Sequence, residues 1–323
     1  MTRRLIAVAD GAITDLSWIR PLEAELGCEL KFGSVETVED VKQLTEGCEA
    51  LLVSLHKLTA EKLRALPKSI QCVGRLGIGL DSIDLATARE LELTVIYQPL
   101  YSIHEVANHA LSMILALHRG LFSADKKVRS DGWAVATEIA EIISLQDATV
   151  GVIGCGRIGQ AVIKRLTPFV GKILAYDPIP PKELVGAELT SDLHALLAQS
   201  QIVTLHAPYL PSTHHMIDAQ AMSAMPKGSI LVNVSRGGLV DESALAESLR
   251  SGHLSAAGLD VFEKEPLEAD SPLRQAPNLV LTPHIAWYSK SSGPRLGQWG
   301  LADAFSFLES QEIKFGNYAS GPY

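Results

Sequence analysis

The chain has 323 residues, 47% hydrophobic and 20% charged, enough apolar material for more than one core, so two domains are expected. A formal charge of −9 with no Lys/Arg cluster argues against a nucleic-acid partner. The richest apolar stretch, residues 106–117, is interrupted by Asn108 and His109 and is too short to span a membrane, which points to a soluble, cytoplasmic protein.

Short apolar runs at 5–8, 50–53, 71–73 and 94–97 alternate with helical patterns such as 38–44 and 60–66, the rhythm of parallel βαβ units. Cys28, Cys48, Cys72 and Cys155 lack metal-ligand spacing and read as buried free thiols, with no metal site expected. Ser102-Ile103-His104-Glu105 reads as a capping box opening a long buried helix, whose stripe would be Ile103, Val106, Ala107, Ala110, Leu111, Ile114 and Leu115. Residues 123–147 are more polar and read as irregular. From Thr149 the alternation resumes, with strands expected at 150–153, 172–176, 202–205, 229–234, 256–260 and 279–281. Asp241 can cap a helix ending near Gly252, 298–311 looks helical, and the Gly-Pro-Tyr tail reads as loose.

The sequence GCGRIG at 154–159 follows an apolar strand and opens a helical pattern, the context in which a GxGxxG carries weight. Gly154 permits a tight turn, Gly156 a close approach of backbone to a pyrophosphate, and Gly159 close packing of helix on strand; Arg157 offers a side-chain contact. The next strand ends in Asp177, roughly twenty residues on, where a carboxylate accepts from adenine-ribose hydroxyls and repels a 2′-phosphate, favouring NAD over NADP. The plainer alternative is an ordinary strand-to-helix turn followed by an Asp-Pro turn.

Arg236, Glu265 and His284 each follow an apolar strand. Loops after parallel strands converge on one sheet edge, so distant groups can meet there. Reduction of a 2-oxo acid needs a cation for the carboxylate and carbonyl, a proton donor, and a carboxylate to orient that donor; Arg, His and Glu suit these tasks. Singly, Arg236 reads equally as a surface turn residue, Glu265 as a solvated charge, and His284 as a satisfied core histidine.

Together, RLGIGLDSID at 75–84, EVANH at 105–109, the glycine loop, NVSRGGLVDE at 233–242, GLDVFEKEP at 258–266 and TPHIA at 282–286 resemble the D-isomer-specific 2-hydroxyacid dehydrogenase family over nearly the whole chain. The resemblance implies an α/β fold of two Rossmann-like domains: a flavodoxin-like substrate domain (1–101 and 288–323) and an NAD-binding doubly wound parallel sheet (102–287), with a cleft between them. It implies that Arg236 binds substrate, that His284 is the acid/base and that Glu265 orients it. Cofactor contacts carried over are Gly154, Gly156, Arg157, Ile158, Gly159, Asp177, His206, Ala207, Pro208, Thr213, Val234, Ser235, Asp260 at the nicotinamide amide, and Ala286. The amides at Gly77, Ile78 and Gly79 would hold the substrate carboxylate. A homodimer through the coenzyme domain and its 102–118 helix is also implied.

Arg75 together with AWYS at 286–289 is similar to the C-terminal-binding-protein branch, in which case Trp287 and Arg75 contact substrate; for Trp287 a core aromatic is the equal alternative. Tyr101 is a further candidate for the cleft. The resulting expectation is an NAD(H)-dependent oxidoreductase acting on a small 2-oxo or 2-hydroxy acid. The alternatives are an NAD-sensing corepressor-like binding module and a phosphoglycerate dehydrogenase.

Overall fold

A computed structural model describes residues 3–136 and 142–320. The chain divides into two compact units, Met1–Ser102 with Tyr288–Tyr323, and Ile103–Trp287. In the first, strands β1 (Leu5–Ala9), β2 (Glu29–Gly33), β3 (Ala50–Val53), β4 (Cys72–Arg75) and β5 (Thr94–Tyr97) alternate with helices α1 (Arg20–Leu26), α2 (Val38–Thr45), α3 (Ala60–Arg64) and α4 (Leu85–Glu90). Helix starts are encoded locally: Thr37, Thr59 and Asp84 each accept a backbone amide of the following first turn.

The second unit opens with α5 (Ile103–His118) and α6 (Leu121–Asp131). It continues through β6 (Thr149–Ile153), α7 (Arg157–Leu166), β7 (Lys172–Tyr176), β8 (Glu188–Thr190), α8 (Leu193–Gln199) and β9 (Ile202–Leu205). It closes with α9 (Ala219–Ala224), β10 (Ser229–Asn233), α10 (Glu242–Arg250), β11 (Leu254–Leu259) and β12 (Leu279–Leu281). The chain then returns to the first unit as α11 (Ser292–Ser310) and β13 (Asn317–Ser320).

The first sheet runs β13-β5-β4-β3-β1-β2, parallel but for β13, which lies antiparallel on β5. The second runs β12-β11-β10-β9-β6-β7-β8, all parallel. Without β13 the first is the flavodoxin-like order, and the second is a doubly wound Rossmann sheet with one strand added, so the fold is α/β with two Rossmann-like parallel sheets. Alternate strand residues feed opposite faces of the second sheet. Val150 and Val152 join α5 and α7 in one core, while Val203, Leu205 and Leu231 join α8, α9 and α10 in the other. In that sheet the strand order reverses between β6 and β9, where ligands of such folds bind beyond the strands' carboxyl ends.

Several local expectations are corrected. Ser102 is buried and its hydroxyl has no hydrogen-bond partner among the described residues, so no capping box forms; the chain enters α5 through a turn at Tyr101 and Ser102. Met113 and Leu117 are buried on α5, while Leu111 and Leu115 are only half-buried. Part of the stretch read as irregular is helix α6. It buries no residue, and intrahelical pairs such as Arg129–Asp125 (2.8 Å) line its surface, so it carries no apolar period to read. Helix α11 starts six residues before the expected position, and the short strands β2, β8 and β13 were not anticipated. The Gly-Pro-Tyr tail lies outside the described residues.

Candidate active site

Gly154 and Gly156 sit between β6 and α7 at that reversal, and Gly159 lies in the first turn of α7. Gly154 has φ +96°, and a Cβ there would come within 2.5 Å of the His206 carbonyl, so only glycine fits. A Cβ on Gly159 would lie 1.9 Å from the Gly154 oxygen, whereas nothing stands within 4 Å of the corresponding point on Gly156. The loop is therefore jammed on its protein side and open at Gly156. No side chain caps α7, which leaves its first amides available to an anion. These features fit a dinucleotide pyrophosphate. Arg157 is exposed at the helix start, and Ile158 packs against the core. Asp177 follows β7, its Oδ2 accepting the Cys155 amide at 2.7 Å and its Oδ1 the Ile179 amide at 2.9 Å. It thus braces the glycine loop as well as presenting a carboxylate. Burial, with the Asp177 charge adding, pushes the Cys155 thiol up to about 11 and keeps it protonated.

Across the reversal, His206 follows β9. Burial pushes its imidazole down to about 3, so it is neutral near pH 7; Nε2 meets the Thr204 hydroxyl at 3.0 Å and Nδ1 has no partner among the described residues. Ala207 is half-buried and Pro208 exposed. The Thr213 hydroxyl closes its own loop, donating to the Pro208 carbonyl (2.9 Å) and accepting the Leu210 amide (2.8 Å). Val234 is a core residue, and Ser235 donates to the Leu205 carbonyl at 2.7 Å.

The loops after β10, β11 and β12 bring Arg236, Glu265 and His284 together. His284 Nδ1–H donates to Glu265 Oε2 at 2.7 Å, leaving Nε2 as the nitrogen able to exchange a proton. Glu265 Oε1 accepts the Phe262 amide at 3.0 Å. Burial pushes the Glu265 carboxyl up, but the hydrogen bond and charge of His284, the Phe262 amide and the charge of Arg236 outweigh it and hold the group below the usual carboxylate value. Gly237 binds the loops together: a Cβ there would fall 1.8 Å from the Phe262 carbonyl carbon.

Asp260, fully buried after β11, clamps the segment that carries His284. Its carbonyl accepts the His284 amide (2.8 Å), and its carboxylate accepts the Thr282 hydroxyl (2.5 Å) and the amides of Ile285 (3.0 Å) and Ala286 (2.8 Å). His284 has φ +53°, a left-handed conformation that costs on the order of 1–3 kcal/mol unless its surroundings enforce it, as these bonds do. Because the single Thr282 hydrogen goes to Asp260, His109 Nε2–H must donate to Thr282 Oγ1, 3.0 Å away. The Trp287 indole N–H donates to the His284 carbonyl at 2.9 Å while its ring packs against the core.

The other substrate candidates belong to the first unit. Arg75 ends β4, 4% exposed, with its guanidinium over Gly77 (φ +139°), where a Cβ would lie 1.4 Å from Nη1. Ile78 and Gly79 follow, half-buried, and Tyr101 is buried. Among the described residues no cluster of His, Cys, Asp and Glu could hold a metal, and no helix is long and apolar enough to cross a membrane.

Residues 111–286 match the family model described as D-isomer specific 2-hydroxyacid dehydrogenase, NAD binding domain. The chain belongs to that family. It is 40% identical over 281 residues to the D-3-phosphoglycerate dehydrogenase of Mycobacterium leprae, a match covering 85% of this chain and 52% of that one. It is 35% identical to the (S)-sulfolactate dehydrogenase of Chromohalobacter salexigens, covering 87% and 92% respectively. The D-lactate dehydrogenase of Aquifex aeolicus, solved with NAD and lactic acid, superposes with a TM-score of 0.87 at 30% identity, covering 99% and 100%. The chain spans about half the length of several curated relatives, the phosphoglycerate dehydrogenases.

For this member of the family, sequence reasoning missed the parts of the site that act through other residues. Thr282 and His109 stand inside quoted motifs, yet their contact spans 173 positions and no spacing announces it. Asp260 was expected only at the nicotinamide; its grip on residues 282–286 emerges from the fold.

Proposed function

We propose that the protein is an NAD-dependent oxidoreductase that interconverts a 2-oxo acid and its D-2-hydroxy acid. The observation that carries this reading is the 2.7 Å His284–Glu265 hydrogen bond, with the Arg236 charge acting on the same carboxylate, in the unit that carries the glycine loop. NADH supplies the hydride when bound. Arg236 anchors the substrate carboxylate and polarises its carbonyl. His284 holds the proton that Nε2 would give to the carbonyl oxygen in reduction and would take back in the reverse direction. Glu265 fixes the ring's tautomer and stabilises its protonated form.

Gly154, Gly156, Arg157, Ile158 and Gly159 hold the pyrophosphate; Asp177 takes the adenine ribose and disfavours a 2′-phosphate. His206, Ala207, Pro208, Thr213, Val234, Ser235, Asp260 and Ala286 complete the cofactor contacts. Arg75, Gly77, Ile78, Gly79 and Trp287 are assigned to substrate. The working form is a cytoplasmic homodimer. The relatives' names put phosphoglycerate, sulfolactate and lactate among the candidate substrates.

The test is NADH oxidation by the purified protein with glyoxylate, pyruvate, hydroxypyruvate, its phosphate ester, sulfopyruvate and bulkier 2-oxo acids. Turnover of at least one is expected, and turnover of none overturns the reading.

A further inference from the structure

Glu265 and His284 are held by a turn whose support comes from elsewhere. The Phe262–Glu263 peptide is its junction. Gly237, next to Arg236, packs against this peptide so closely that a Cβ would overlap its carbonyl group and the Glu263 nitrogen. The Glu263 N–H points away from the turn to Glu242, whose Oε1 accepts it at 2.7 Å. One residue before, the Phe262 N–H is the donor that fixes Glu265 Oε1. Two successive peptides, Val261–Phe262 and Phe262–Glu263, thus link the carboxylate of Glu265 to the loop of Arg236 and the start of α10.

Glu242 is not occupied in starting its own helix. Asp241 already caps α10 by accepting the Ala244 amide at 2.9 Å. The Glu242 carboxylate is half-buried, and its surroundings oppose its charge. Burial raises its proton affinity and the Glu263 and Glu265 charges raise it further, against the Glu263 amide and His215. A group held at such a cost with its acceptor on one amide of the acid/base turn is placed for that contact. His215 also contacts this turn, meeting the Glu263 carboxylate at 2.8 Å.

We propose that Glu242 is a positioning residue for the Glu265–His284 pair, fixing the Phe262–Glu265 turn through the Glu263 amide. The role rests on the catalytic reading above, but its structural half does not. The test compares Glu242→Ala, Glu242→Asp and Glu242→Gln in the full chain. Losing a hydrogen bond to a charged acceptor predicts that Ala lowers kcat about tenfold while KM for NADH stays within about twofold. Asp keeps the charge but withdraws it by one methylene, and falls in the same direction. Gln keeps an acceptor at full reach and recovers most of the loss.

Hydrogen exchange gives a readout independent of turnover. The Glu263 amide should exchange at least about tenfold faster in the Ala and Asp variants, with β10 and β11 protected as in the wild type. If Ala fails to fold, Asp against Gln decides. Wild-type kcat together with wild-type exchange at Glu263 in the Asp variant overturns the proposal. If the wild type turns over no 2-oxo acid, the catalytic reading fails, and the exchange at Glu263 still decides whether Glu242 holds the turn.

Discussion

The glycine loop and the Arg236–Glu265–His284 cluster occupy the same edge of the second sheet, but they are built in opposite ways. The loop is contiguous, made of backbone and glycines, and constrained by what a Cβ would strike: the Gly154 oxygen at Gly159 and the His206 carbonyl at Gly154. The cluster is made of side chains from three loops, held by bonds that cross 19 positions from Glu265 to His284 and 21 from Glu242 to Glu263. The loop is limited mainly by volume, at Gly154 and Gly159, whereas the cluster, apart from Gly237, is limited by the loss of a donor or acceptor.

That contrast predicts separable failures. The largest effect belongs to the cluster: His284→Ala should lower kcat by about 10²–10⁴-fold with NADH affinity nearly unchanged, measured by steady-state kinetics and fluorescence titration. An equal loss in both would merge the two regions. Gly159→Ala should do the converse, weakening NADH binding by at least about tenfold and lowering the melting temperature, because its Cβ meets backbone that cannot yield. Asp177→Ser should relax the preference for NADH over NADPH by about tenfold, less than a full charge in a dry site would give, because Asp177 is only half-buried. A retained preference moves discrimination elsewhere.

A pH experiment sharpens the comparison at His206. Its folded value, about 3, lies below the ordinary 6.5, so the unfolded chain binds the proton first. Stability contributed by the neutral ring is complete above 6.5 and is lost as pH falls towards 3, by at most about 1.4 kcal/mol per pH unit. His206→Gln should unfold less steeply over that window, and identical acid titrations would contradict the burial. An effect on stability rather than turnover is expected at Thr282→Val, which removes one donor to Asp260 and one acceptor for His109 and should cost about 1–3 kcal/mol in urea unfolding.

The same contrast explains what the sequence made legible. The parallel βαβ rhythm, the glycine loop and Asp177 depend on local period and spacing, and the second sheet's expected strands lie within a residue or two of those observed. Arg236, Glu265 and His284 were readable as types at strand ends; their meeting needed the topology. Helix α6 was hidden because it buries nothing and β8 because it is a three-residue edge strand, while the alternation in β2 rests on only two apolar positions, Leu30 and Phe32. The Ser102 capping box was misread because its motif is right while the entering turn sends the hydroxyl inward. Glu242, His109 and the clamp of Asp260 on residues 282–286 had no sequence signal beyond their motifs, since each acts through a hydrogen bond whose partner only the fold supplies.

The most direct test of the central claim follows the hydride itself. The purified protein is incubated with NADH deuterated at C4 and the best 2-oxo acid of the panel, and the product is examined by NMR and chiral chromatography. Deuterium at C2 of the D-2-hydroxy acid is the predicted result. Cofactor binding with no label transferred to any 2-oxo acid, or label in the L product, would contradict it.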